Sequence, residues 1–218
     1  MNKTSTIAPQ LLLALIAIIS WFAIVAQFSI SIPLLLAKGM TYGEAVWRMF
    51  GYLTILTNVL IAVCCTVLLS TPDSALGQFF SRPGVLTALA LYIIIVGLGY
   101  NILLRNHAPF TGLHWLSDEG LHSAVPLLFT LFWLLYVAKD DLQVKDSLLW
   151  LIYPLAYFVV AMIRGGTSGF YPYPFLNVTN LGYARVMANA FMLLIGFFVI
   201  ALSMVAIAKV RRKELSVE

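Results

Sequence analysis

Charged residues are scarce in this chain. Asp, Glu, Lys and Arg together make up 10% of its 218 residues, whereas an average soluble domain contains about 25%. Hydrophobic residues make up 61%, and the mean hydropathy is +0.95. This balance excludes an ordinary water-soluble domain, so we predict an integral membrane protein with lipid around most of its surface.

Cysteine is also scarce, and the two that are present are neighbours, Cys64 and Cys65. Adjacent cysteines supply neither a disulfide framework nor the spaced ligands of a zinc motif. Both thiols lie inside an apolar run, which favours two small residues facing lipid or another helix.

The basic residues do not indicate a nucleic-acid surface. The net charge is +4 and the pI is about 9.1, but the basic cluster lies at one helix end and has no interleaved aromatic residues. It consists of Lys209, Arg211, Arg212 and Lys213. We therefore expect membrane lipids with anionic headgroups as its partners, and no nucleic acid.

Six apolar segments are long enough to cross a bilayer, which takes about 20 residues of helix. The predicted spans cover residues 7–37, 50–71, 84–104, 120–138, 147–163 and 183–209. Little chain remains outside them, so the predicted fold is an all-α membrane protein, a six-transmembrane-helix bundle in one domain over residues 1–218. The first run is too long for the core of a signal peptide and is expected to be retained, with Pro33 near its end.

The distribution of Lys and Arg predicts the orientation in the membrane. If the N-terminus is cytoplasmic, eight of the 13 basic residues fall in inner segments and five in outer ones, so both termini are predicted to be cytoplasmic. Three polar clusters then share the extracytoplasmic face: the start of the second span, the stretch 106–126, and the Gly- and Pro-rich connection 164–182.

The stretch 106–126 holds all three histidines, His107, His114 and His122, and the acidic pair Asp118 and Glu119. Steps of four residues join His114, Asp118 and His122, so a helix would place them in one stripe. A carboxylate one turn from an imidazole can fix its tautomer and raise its basicity, as a general base requires. The alternatives are interfacial histidines in a wet loop and a metal site formed by the three residues of the stripe.

Pro126 sets His122 apart within this stretch. Proline has no N–H, so it cannot donate to the carbonyl four residues earlier, which belongs to His122. His107 and His114 have no such feature and are predicted to be loop residues.

Polar residues also mark the start of the second span, where Thr54, Thr57 and Asn58 fall three and four residues apart. A helix presents them on one face near its outer end. The alternative is structural, because threonine often bonds a carbonyl one turn back and asparagine can join two helices.

Two arginines, Arg164 and Arg185, flank the aromatic sequence FYPYPF. Charges close to the bilayer usually face the protein interior, which makes both candidates for binding groups. Snorkelling to the headgroups is the alternative. Tyr171, Tyr173 and Phe175 favour an interfacial aromatic belt over a ligand cage.

Three short motifs carry a resemblance to a known family. They are YLTIL at 52–56, GLHSAVP at 120–126 and G-x-x-x-YPFL at 169–176, and they resemble small multi-pass membrane proteins that comprise the androgen-induced protein and the androgen-dependent tissue-factor-pathway-inhibitor-regulating protein. The longer sequences DEGLHSAVP, LIYP and RGGTSGFYPYPF are closer to a bacterial branch of six-transmembrane proteins. The resemblance implies a bacterial inner membrane protein, and the predicted topology would place its active site on the extracytoplasmic side.

The resemblance also implies an activity, the hydrolysis of fatty acid esters of hydroxy fatty acids by a membrane threonine and a histidine. Thr54 matches the threonine of YLT, and His122 matches the histidine before the small residues and proline. This pairing is chemically coherent, because a threonine hydroxyl is a weak nucleophile until a base takes its proton.

The leading hypothesis is therefore an intramembrane lipid ester hydrolase without a cofactor, with Thr54 as nucleophile and His122 as base. Its substrate would be a lipid or fatty acyl ester from the bilayer. Supporting roles are assigned to six residues: Asn58, Asp118, Glu119, Arg164, Arg185 and Tyr173, of which Asp118 or Glu119 would orient His122. The alternatives are a metal-dependent membrane hydrolase and a non-enzymatic lipid-binding, carrier or channel protein.

Overall fold

The fold is all-α, as predicted. The structure is a computed structural model that describes residues 4–105, 110–138 and 142–215, with the backbone alone for 4–6 and 210–215. No strand occurs within these ranges, and every regular element is a helix or a helical turn.

Six helices in the described ranges are long and apolar enough to cross a membrane, which confirms the predicted number of spans. They cover Ile7–Leu36, Leu53–Ser70, Pro83–Leu104, Gly112–Tyr136, Val144–Ser168 and Val178–Lys209. The chain is thus an integral multi-pass membrane protein. Residue contacts divide it into two compact units, Met1–Ala138 and Lys139–Glu218, which hold four and two of these spans.

The first unit contains seven helices and two π turns in its described residues. The helices are α1 (Thr4–Leu36), α2 (Tyr42–Met49), α3 (Leu53–Ser70), α4 (Ala75–Phe80), α5 (Pro83–Gly99), α6 (Gly112–Glu119) and α7 (Val125–Tyr136). The first π turn, Tyr100–Leu104, continues α5, and the second π turn, Gly120–Ala124, joins α6 to α7.

In the first unit, the starts of two spans differ from the sequence prediction by several residues. The fourth span begins at Gly112 rather than at 120, because α6, the second π turn and α7 run on as one helical segment. His114 therefore lies in a helix, and its prediction as a loop residue was wrong. The second span begins at Leu53 rather than at 50, because the preceding residues form the separate helix α2, which has a Thr41–Glu44 capping box.

Packing in the first unit brings α1 against α3, α6 and α7, while α5 packs on α3 and α7. The apolar core between them includes Ala23, Ile55 and Leu121. Hydrogen bonds add to it, since the fully buried Ser117 hydroxyl donates to the Ala23 carbonyl at 2.9 Å. These contacts place the C-terminal end of α5, the start of α3 and the second π turn at the same end of the unit.

The second unit contains α8 (Val144–Trp150), α9 (Ile152–Ser168), a 3-10 turn (Pro174–Leu176) and α10 (Val178–Leu215). The fifth span thus extends to Ser168, past its predicted end at 163, so the irregular connection is shorter than 164–182. Gly182 has a non-helical backbone (φ 74°, ψ 159°) and kinks α10 just before the predicted start of the sixth span. Ala161, Leu176 and Val186 form the apolar centre of this unit.

Gly120 tests the close packing of α1 against the second π turn. A Cβ at Gly120 would lie 2.7 Å from the Ala23 Cβ, closer than real side chains approach. We expect Gly120→Ala to destabilise the protein by about 1–3 kcal/mol through overpacking and to lower the melting temperature in detergent. Gly99→Ala is the matched control, since Gly99 is helical and a Cβ there meets nothing within 4 Å. Equal melting temperatures for the two variants would contradict this packing.

Candidate functional site

The site is built around two backbone carbonyls, those of Leu121 and His122, to which residue 126 cannot donate because it is a proline. In the second π turn the Val125 N–H bonds to the Gly120 carbonyl, five residues back. If this five-residue spacing continued, residue 126 would donate to the Leu121 carbonyl. With the four-residue spacing of an α-helix, residue 126 would instead donate to the His122 carbonyl. Pro126 has no N–H and can supply neither bond.

Two asparagines from other helices donate to these carbonyls instead. Asn58 on α3 is fully buried, and its Nδ2 donates to the Leu121 carbonyl at 3.2 Å and to the Thr54 carbonyl at 2.9 Å. Asn101 in the first π turn donates from Nδ2 to the His122 carbonyl at 3.0 Å. Side chains from α3 and α5 thus hold the backbone of His122 and of the residue before it.

His122 and Asp118 form a close pair one helical turn apart. The imidazole Nδ1 lies 3.1 Å from the Asp118 Oδ1 and 3.0 Å from the Asp118 backbone carbonyl. Because the carboxylate and the carbonyl both accept hydrogen bonds, Nδ1 must carry the ring hydrogen. Nε2 is then left with a lone pair, as a general base requires. The two side chains are only 12% and 10% exposed.

Tyr100, in the first π turn, contacts both members of this pair. Its hydroxyl donates to the Asp118 Oδ2 at 2.7 Å. Its ring stacks on the His122 imidazole, with 3.7 Å between ring centroids and 12° between planes. The Asp118 carboxylate therefore contacts both side chains: Oδ2 accepts the Tyr100 hydroxyl, and Oδ1 lies 3.1 Å from the His122 Nδ1.

Glu119 faces a different partner. Its two carboxylate oxygens accept from the guanidinium of Arg105, whose Nη2 lies 3.0 Å from Oε2 and 2.8 Å from the Ser123 hydroxyl. The Glu119 hydrogen bond raises the pKa of Arg105, which keeps the guanidinium charged. Of the two carboxylates predicted to orient His122, the structure places Asp118 beside Nδ1 and pairs Glu119 with Arg105.

Thr54 lies in the first turn of α3 and is half-buried. Its carbonyl and that of Leu121 lie within hydrogen-bond distance of the same nitrogen, Nδ2 of Asn58. The turn that carries Thr54 is therefore adjacent to the backbone of the residue before His122. A direct bond between the Thr54 hydroxyl and the His122 ring stays a prediction. Thr57, next to Asn58, is fully buried.

Three of the predicted supporting residues belong to the second unit. Tyr173 stacks on Phe175 with 5.2 Å between ring centroids, beside the apolar centre of that unit. Arg164 near the end of α9 is half-buried, and Arg185 on α10 is exposed.

His114 has an aromatic partner of its own. His107 lies outside the described residues, and His114 stacks on Phe110 with 3.7 Å between ring centroids. Within the described part of the chain, no three His, Cys, Asp or Glu side chains are grouped so that they could hold a metal ion. The stripe of His114, Asp118 and His122 therefore does not converge on one metal position.

The roles of Tyr100, Asn101 and Arg105 were not identified from the sequence. The signal was the sequence YNILLR, which places a phenol, an amide and a guanidinium at the end of an otherwise apolar span. A regular helix would spread these groups around its axis. The π turn changes their directions and was not recognisable from the sequence.

Comparison with known proteins does not assign this chain to a family. No family, curated protein or solved structure matches it.

A double-mutant cycle tests the hydrogen bond from Asn101 to the His122 carbonyl. Asn101→Leu removes the donor, and we expect it to cost about 1–3 kcal/mol of unfolding free energy, the penalty for an unpaired polar group. Pro126→Ala returns a backbone N–H at residue 126, so Asn101→Leu should cost less in that background. Unfolding of the four proteins in mixed micelles measures the coupling. An equal cost of Asn101→Leu in both backgrounds would show that Pro126 does not create the need for Asn101.

Proposed function

We propose that this protein is an intramembrane hydrolase of lipid esters, with Thr54 as nucleophile and His122 as general base. The observation that carries the proposal is the Asp118–His122 pair, in which Nδ1 lies 3.0 Å from the backbone carbonyl and 3.1 Å from the carboxylate of Asp118. A hydrogen on Nδ1 would leave the lone pair of the neutral ring on Nε2. The Asn58 link between the turn of Thr54 and the residue before His122 supports the choice of nucleophile.

The proposed reaction proceeds in two steps through an acyl-threonine. In the first, Nε2 of His122 takes the proton of the Thr54 hydroxyl while Oγ1 attacks the ester carbonyl carbon. The bond from this carbon to the alcohol oxygen breaks, and the alcohol leaves with the proton from Nε2. In the second, Nε2 takes a proton from water as the water oxygen attacks the acyl carbon. The bond to Oγ1 then breaks, the proton returns to Oγ1, and the fatty acid is released.

Asp118 would stabilise the imidazolium that forms in each step, because its carboxylate lies against Nδ1 in a site with little exposure. Asp118 and His122 lie within the membrane-spanning segment Gly112–Tyr136, near the end where Arg105, Glu119 and Ser123 form a polar cluster. A lipid ester would reach such a site laterally from the bilayer. Water would enter from the polar cluster.

Replacement of either reacting residue tests the proposal. We expect Thr54→Ala and His122→Gln each to lower the hydrolysis of a long-chain p-nitrophenyl ester by purified protein at least 100-fold, in line with the contribution of a positioned base. The double variant should be no slower than the worse single variant, because the two groups act as a unit. A fluorophosphonate labels a nucleophile by forming a bond from phosphorus to it, with release of fluoride. This labelling should be lost in Thr54→Ala.

Two variants serve as matched controls for this experiment. Thr66→Ala removes a threonine from the same helix, one whose hydroxyl donates to the Ala62 carbonyl. His114→Gln removes the histidine that stacks on Phe110. Both should keep nearly full activity and labelling. Full activity and full labelling in Thr54→Ala would refute the nucleophile assignment.

Asp118→Asn should slow the reaction by removing the negative charge beside the imidazolium that forms at His122. Tyr100 donates to the Oδ2 position, so the amide oxygen would occupy that position and the amide nitrogen would face Nδ1 of His122. The backbone carbonyl of residue 118 still accepts from Nδ1, so two donors would then face each other and no carboxylate would stabilise the imidazolium. We expect kcat to fall about 100-fold to 10,000-fold. Glu119→Gln leaves Asp118 beside Nδ1 of His122 and should lower kcat less than Asp118→Asn does. A larger fall in kcat for Glu119→Gln would contradict the role assigned to Asp118.

A further inference from the structure

We propose that Tyr100 is the positioning residue of the Asp118–His122 pair, holding the carboxylate with its hydroxyl and the imidazole with its ring. This inference deepens the proposed function and rests on it for its catalytic consequence. Tyr100 comes from the first π turn, whereas the pair lies on α6 and the second π turn. The constraint is therefore imposed from a separate helix.

The hydroxyl of Tyr100 prevents rotation of the carboxylate. Oδ1 of Asp118 lies 3.1 Å from the His122 Nδ1, and Oδ2 accepts the Tyr100 hydroxyl at 2.7 Å. A carboxylate with one partner can turn about its Cβ–Cγ bond and still accept through either oxygen. Here turning would break the charge-assisted hydrogen bond from Tyr100 and move Oδ1 away from the imidazole. Oδ1 is thereby kept facing the imidazole.

The ring of Tyr100 restricts the imidazole in a second direction. A ring that is hydrogen-bonded through Nδ1 alone can tilt about that bond, and Nε2 moves furthest because it lies on the far side of the ring. Stacking at 3.7 Å and 12° opposes this tilt. The face of a phenol ring also attracts a cation, so it favours the imidazolium that forms when Nε2 takes a proton. The guanidinium of Arg105 lies 5.8 Å from the same ring, which places Tyr100 between the pair and the polar cluster.

Two substitutions separate the hydroxyl from the ring. Tyr100→Phe keeps the ring and its stacking but removes the donor to Asp118. Tyr100→Leu removes both. Tyr136→Phe is the control, since Tyr136 lies at the C-terminal end of α7 with 41% of its surface exposed. Activity is measured as kcat and KM for a long-chain p-nitrophenyl ester in micelles. Protein labelled with ¹⁵N-histidine gives the ring resonances of His122 by NMR, assigned by their loss in His122→Gln.

We expect Tyr100→Phe to lower kcat about tenfold, as loss of a hydrogen bond to a charged group does, with KM unchanged within about twofold. The Nδ1–H resonance of His122 should shift, while its carbon-bound ring protons stay near their native positions because the stacking remains. Tyr100→Leu should lower kcat at least as much and should also move the carbon-bound protons. Tyr136→Phe should match the native protein in every measurement.

Native kcat together with native His122 resonances in Tyr100→Phe would overturn the proposal. Should Tyr100→Leu fail to fold, the Tyr100→Phe comparison decides, because that variant keeps the packing of the ring. If the native protein hydrolyses no ester, the proposed function fails and the NMR comparison decides alone. A shifted Nδ1–H resonance in Tyr100→Phe then supports the positioning role, and an unshifted one overturns it.

Discussion

The hydrogen bonds from Asn58 and Asn101 to the carbonyls of Leu121 and His122 are the constraint on which the rest of the site depends. Pro126 can donate to neither carbonyl, and within a membrane span an unpaired polar group is costly. Each asparagine comes from a different helix. By donating hydrogen bonds to the two carbonyls, they hold α3 and the end of α5 at the level of the second π turn.

That arrangement explains why chemically useful groups meet at one end of the first unit. The asparagine on α3 places the turn of Thr54 beside Leu121, and the π turn that carries Asn101 also carries Tyr100. Tyr100 contacts both Asp118 and His122. Helix-distorting π turns are frequent at functional sites, because they redirect side chains that a regular helix would spread around its axis. Here the first π turn supplies Tyr100 and Asn101, and the second supplies His122. In the lipid ester hydrolase proposed for this protein, His122 is the base, and Tyr100 and Asp118 hold it in place.

Composition and hydropathy were sufficient to predict the helical membrane fold and its six spans, because a bilayer imposes length and apolarity on each one. The loss of a donor at the His122 carbonyl was also predictable, since it follows from the chemistry of proline alone. The replacement of this donor by Asn101 was not predictable, because Asn101 is 21 residues from His122 and the bond between them depends on how α5 packs. The predicted loop around His114 proved helical, since a polar sequence at a span's outer end does not distinguish a wet loop from a helix. Arg164, Arg185 and Tyr173 were grouped with the site by charge and topology, and the structure places them in the second unit.

The central claim is that the hydroxyl of Thr54 carries the acyl group during turnover. Its most direct test is mass spectrometry of the protein quenched in acid during hydrolysis of a long-chain p-nitrophenyl ester. The account predicts an added acyl mass on a peptide that contains Thr54, absent from Thr54→Ala and from unreacted protein. Ester hydrolysis with no acylated peptide, or with the acyl group on another residue, would contradict it.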